Sequence, residues 1–145
     1  AAHETSHQWW FGRVANDQAN QPWLDESLAT YCEKLFYENN YPDSLKWWHS
    51  YRIDFYHPEG MIDGDVPSYG GFTPYTNATY RRGALFLDEL RQSMGDEAFF
   101  AFLKDYVTQM DGLIAKASDF FRILRQHSSA DLGELVAKYF ANPPQ

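Results

Sequence analysis

The sequence is poor in several things, and each shortage narrows what the chain can be. It has one cysteine, Cys32, so no disulfide can form within it. Cys32 stands among apolar residues and reads as core filler. No apolar run approaches the roughly 18 residues that a membrane-spanning helix needs. Lys and Arg number 12 against 20 Asp and Glu, for a net charge of −8, and no basic stripe appears. Such a surface repels phosphates, which argues against a nucleic-acid partner. Alternating strand patterns, internal repeats and low-complexity tracts are also missing. The 145 residues are enough for one domain with its own core, 1–145.

What is abundant is helical periodicity and aromatic side chains. Leu28, Cys32, Leu35 and Phe36 recur at helical spacing, as do Leu45, Trp48, Tyr51 and Phe55 after Pro42. Leu87, Leu90 and Met94 line a helix that Gly95 should end, and Asp96 is placed to cap the next. That one carries Phe99, Phe102, Leu103, Tyr106, Val107 and Met110 on one stripe. Ser118 or Asp119 should start a further helix and Asp131 the last. The fold expected is all-α, with about five to seven helices. Residues 57–78, rich in Gly and Pro, are expected to form a loop without regular structure. Aromatic residues make up 18% of the chain. Either the core is unusually aromatic, or some rings pack on something outside the chain. Trp9, Trp10 and Phe11 are adjacent and should not all point inward. A two-fold homodimer through the face bearing them is therefore expected.

The chemistry is concentrated near the start, in "HETSH". On a helix, residues four apart lie one above the other, so His3 and His7 aim two imidazoles at one point. Zinc accepts imidazole nitrogen, and such a pair is half of a tetrahedral site. Glu4, next to the first ligand, is placed to take a proton from a water whose pKa the metal lowers. A catalytic zinc site needs a third protein ligand. Glu26, in "WLDES" with eighteen residues between it and His7, is the candidate. It falls at the start of the next helix, which can fold back onto the first.

These residues carry a family resemblance. His3-Glu4-Thr5-Ser6-His7-Gln8-Trp9, Phe11-Gly12, and Trp23-Leu24-Asp25-Glu26 with Ala29 and Tyr31 resemble the gluzincin zinc aminopeptidases of the membrane alanyl aminopeptidase type. "TYRRGALFLDEL" resembles the Tyr-x-Lys-Gly segment of that family, with Arg82 in the place of the lysine. The resemblance implies the helical half of a thermolysin-like metallopeptidase catalytic domain. It also implies Zn²⁺ as cofactor, a peptide substrate cut at its amino end, and Tyr80 as donor to the oxyanion. The sheet-bearing N-terminal half of such a domain, with its amine-binding Gly-x-Met-x-Asn stretch, is not found in this sequence. The chain is thus expected to be a fragment whose partner is that half. His3, close to the first residue, is expected to fray and to bind zinc less well than in an intact domain. The rival expectations are a catalytically inactive zinc- or peptide-binding module and a metal-free structural fragment.

Overall fold

The structure, a computed structural model, describes residues 1–143. The α-helical stretches are α1 (Ala2–Ser6), α2 (Trp23–Asn40), α3 (Leu45–Trp48), α4 (Phe72–Thr76), α5 (Gly83–Met94), α6 (Asp96–Met110), α7 (Ala117–His127) and α8 (Gly133–Tyr139). A π-helical segment, Asn77–Arg82, joins α4 to α5 without a break, so the described residues form seven helical rods. The only strands among them are β1 (Ala15–Asn16) and β2 (Ile114–Ala115), a two-residue parallel pair. No alternating pattern could announce a pairing so short. It closes the loops after α1 and α6 onto one another, assisted by an exposed Arg13–Asp111 ion pair at 2.6 Å. No helix among the described residues is long and apolar enough to cross a membrane.

Helix α2 is the central rod. Asp25 and Glu26 in its first turn suit the positive end of the helix dipole. It stops at Tyr41, the residue before Pro42, where the proline ring disfavours helical geometry. Trp23 opens α2 and is 1% exposed, with its ring edge-on to Phe86, Phe120 and Phe140. Phe120, from α7, also meets Phe102 and Tyr106 of α6. These rings tie α2, α5, α6, α7 and the end of α8 into one aromatic core, which roots the first turn of α2 firmly.

Several local expectations are corrected. Residues 57–78 are only partly irregular: α4 occupies 72–76, the π-segment begins at Asn77, and Pro67–Tyr69 is a 3₁₀ turn. Pro74 lies within the first turn of α4, where its missing N–H has no helical partner to lose. The Leu45–Phe55 stripe is not all core. Leu45 is half-buried and Trp48 buried, whereas Tyr51 and Phe55 are exposed, because the chain widens into a π-turn at His49–Ile53. The buried pair there is Trp48 and Ile53, five apart. Gly95, with φ of 81°, ends α5 as expected but also takes the cap position of α6. Asp96 instead binds Arg91, at 2.9 Å. Helix α7 begins at Ala117, after Lys116, whose N–H is accepted by Asp119. Asp131 accepts the N–H of Gly133 and so lies just before α8. Of the three adjacent rings, Trp10 is buried and Trp9 and Phe11 are exposed. Cys32 is half-buried, and the Trp10 indole N–H donates to its sulfur at 3.1 Å.

Candidate metal centre

Helix α1 lies across α2, with Ser6 buried at the crossing and its hydroxyl donating to the His3 carbonyl at 2.6 Å. After His7 the chain reverses sharply. Gly12 N–H reaches the His7 carbonyl at 2.8 Å, and a Cβ at Gly12 would stand 2.6 Å from the Gln8 carbonyl oxygen. Only glycine fits that reversal. This is the physical use of the Phe11-Gly12 pair.

The crossing brings His3, His7 and Glu26 together. His3 Nε2 is 3.1 Å from Glu26 Oε2, His7 Nε2 is 3.2 Å from His3 Nε2, and His7 Nε2 is 3.5 Å from Glu26 Oε2. Zinc with bonds of roughly 2.0–2.1 Å holds neighbouring tetrahedral ligand atoms about 3.3 Å apart. The three separations bracket that value, so two imidazole nitrogens and one carboxylate oxygen fit one face of a zinc tetrahedron. Among the described residues no other group of His, Cys, Asp and Glu side chains converges in this way.

The other ring nitrogens are engaged on the far side. His3 Nδ1 lies 3.0 Å from Glu33 Oε1, and His7 Nδ1 lies 3.1 Å from the Trp10 carbonyl oxygen. Each contact fixes a proton on Nδ1 and turns Nε2 toward the shared point. His3 is thereby held at both nitrogens although it lies in the first turn of α1. Burial works against its imidazolium, but Glu26 and Glu33 outweigh it and push the His3 pKa up to about 9.

Glu33 was not singled out in the sequence. The signal for it was there: it follows Glu26 by seven residues, two turns along the same face of α2. Arg52 clamps it through Nε at 2.8 Å and Nη2 at 2.9 Å, and the Trp48 indole donates at 3.2 Å. Burial raises its pKa, yet hydrogen bonds from His3 and Arg52 dominate and bring the carboxyl down to about 2.

Tyr80 stands over the same centre. Its ring lies 5.6 Å from that of His3, stacked at an interplanar angle of 5°. Burial and the Glu26 carboxylate keep the phenol protonated far above the usual tyrosine range. Tyr75 meets it edge-on at 5.6 Å. Glu4 projects from α1 as an exposed residue. Asp25, beside Glu26, is fully buried and turns away from the ligands, held by amides of Asn16 at 2.9 Å and Gln18 at 2.6 Å. Burial raises its pKa. Arg82 also points elsewhere: it donates to the Lys138 carbonyl at 2.9 Å and covers the Tyr139 ring, tying the π-segment to α8.

Comparisons with known proteins identify the family of the chain. The model of the peptidase family M1 domain matches residues 1–139. Aminopeptidase N of Streptomyces lividans is 29% identical over 142 residues, covering 90% of this chain and 16% of the relative. Aminopeptidase M1-A of Oryza sativa subsp. japonica is 26% identical over 143 residues, covering 93% of this chain and again 16% of the relative. The chain thus spans about a sixth of the length of these curated relatives. Among solved structures, an M1 zinc metallopeptidase variant of Deinococcus radiodurans bound to a Tyr-Ser-Ala substrate superposes with a TM-score of 0.73 at 25% identity. That match covers 99% of this chain and 33% of the other. With a family model spanning nearly all of its residues, this chain belongs to peptidase family M1.

Proposed function

We propose that the chain carries the metal-binding and proton-transfer residues of a zinc peptidase that removes N-terminal residues from peptides. The observation that supports this most is the convergence of His3, His7 and Glu26 at separations suited to one tetrahedral ion. When bound, zinc would supply Lewis-acid polarisation of a water and of the scissile carbonyl. The remaining work belongs to side chains. Glu4 accepts the proton of the attacking water and returns it to the leaving amine. Tyr80, kept protonated, donates a hydrogen bond to the oxygen that becomes negative in the tetrahedral state. Glu33 and the Trp10 carbonyl hold the two imidazoles in the tautomer that leaves Nε2 free to bind. Preference for the amino end of the peptide rests on the relatives described as aminopeptidases.

Two measurements on the zinc-treated protein test the proposal: metal content after dialysis, and turnover of an aminoacyl chromogenic substrate. One zinc per chain lost in a His3→Ala, His7→Ala variant supports the site. Zinc uptake that survives the double substitution overturns it. Zinc bound with no turnover would favour a binding module over an enzyme.

A further inference from the structure

Tyr80 reaches the centre by way of the π-turn, and the π-turn leans on one side chain of α2. Within Asn77–Arg82 the ladder is stretched, and the Gly83 N–H bonds the Ala78 carbonyl five residues back. The Thr79 carbonyl is met from outside the helix, by the Ser27 hydroxyl, which donates to it at 2.7 Å. Ser27 and Thr79 are both completely buried, so no water can replace that donor. The two helices are pressed together at this point. A Cβ on Gly83 would stand 1.8 Å from Ser27 Oγ and 2.5 Å from Ser27 Cβ. Glycine at 83 and a small hydroxyl at 27 therefore form one joint.

The joint sits between two functional neighbours. Ser27 follows Glu26 on α2, and Thr79 precedes Tyr80 on the π-turn. Moving either helix off the other shifts Tyr80 relative to Glu26 and His3. A return to α-helical winding across 77–82 would also rotate Tyr80 away, since each residue of an α-helix turns by about 100°. Insertions of this kind are rare and recur at functional sites.

We propose that Ser27 is a positioning residue, whose hydrogen bond to the Thr79 carbonyl holds the π-turn in register and thereby sets the Tyr80 phenol over His3 and Glu26. Ser27 touches neither substrate nor metal in this scheme. The inference rests on the role proposed above for Tyr80, and its test separates the two.

The readout is the ring-current shift that the stacked Tyr80 ring imposes on the His3 ring protons, followed by NMR on the full chain. Tyr80→Leu sets the unstacked reference. Ser27→Ala should move the His3 signals toward that reference while the rest of the spectrum keeps its native dispersion and one zinc is still bound. In the active enzyme the same substitution should lower kcat by up to about 10²-fold with KM nearly unchanged, the scale of a misplaced catalytic group. If Ser27→Ala does not fold, Ser27→Cys, a weaker donor in the same place, should give an intermediate shift. His3 signals that stay at their wild-type positions in the folded variant overturn the proposal. A wild-type chain that binds no zinc, or a Tyr80→Phe enzyme with undiminished turnover, would instead overturn the site assignment. In that case the His3 shifts still decide whether Ser27 positions Tyr80.

Discussion

Glu33 Oε1 stands 3.0 Å from His3 Nδ1, on the side of the ring opposite Glu26. One face of α2 thus supplies both a ligand candidate and the group that orients another. Glu33→Gln should keep the fold but weaken the grip on the His3 proton. Zinc affinity is expected to drop about 10–100-fold, the usual scale for losing such an outer partner. A chelator competition titration measures it, and an unchanged dissociation constant would remove Glu33 from this role.

Glu4→Gln should abolish most turnover in the active enzyme while zinc stays bound. The amide keeps the shape but accepts no proton, and loss of a general base costs about 10²–10⁴-fold. Tyr80→Phe should cost on the order of 10²–10³-fold in kcat, as for one missing oxyanion donor. Steady-state kinetics at saturating zinc check both, and near wild-type rates would reject the respective role.

Phe120 is fully buried and touches rings from α2, α5 and α6. Phe120→Ala should destabilise the domain by about 3–5 kcal/mol, since the aromatic lattice cannot collapse into the space. Urea unfolding followed by circular dichroism tests this. A loss below about 1 kcal/mol would mean that the core repacks freely.

Acid should weaken the contact between α2 and the α5–α6 corner. Arg91 joins Glu38 at 2.9 Å and Asp96 at 2.9 Å, and Lys34 lies 3.2 Å from Glu38. The Arg91 hydrogen bonds, aided by Lys34, hold the Glu38 carboxyl below its ordinary value. A lowered folded pKa adds stability above the unfolded value of about 4.3 and loses it as pH falls through the folded one. Unfolding midpoints should therefore fall on acidification below about pH 4–5, and less steeply in Glu38→Gln. Parallel curves for the two proteins would show that the pair contributes nothing.

The helices and the histidine pair of the candidate site could be read along the chain because both depend on short-range spacing. Histidines four apart share a helix face wherever the helix lies, and the Phe99-to-Met110 stripe has one way to be buried. The pattern failed where winding left the 3.6-residue period. The π-turn at His49–Ile53 exposes Tyr51 and Phe55 and buries Ile53. The π-turn at Asn77–Arg82 extends helix into a segment that Gly and Pro had marked as loop. No local residue preference encodes such a turn; a donor from another helix, Ser27, supports it. Glu33 and the β1–β2 pair belong to the same class. Each acquires its partner only when α1, α2 and the 72–94 rod cross or distant loops meet. Spacing along the chain is enough to pick out the residues that could bind a metal and the helices on which they ride. Which second groups fix their protons, and how closely the helices approach, follows only from the folded arrangement, because both depend on packing between segments far apart in the chain.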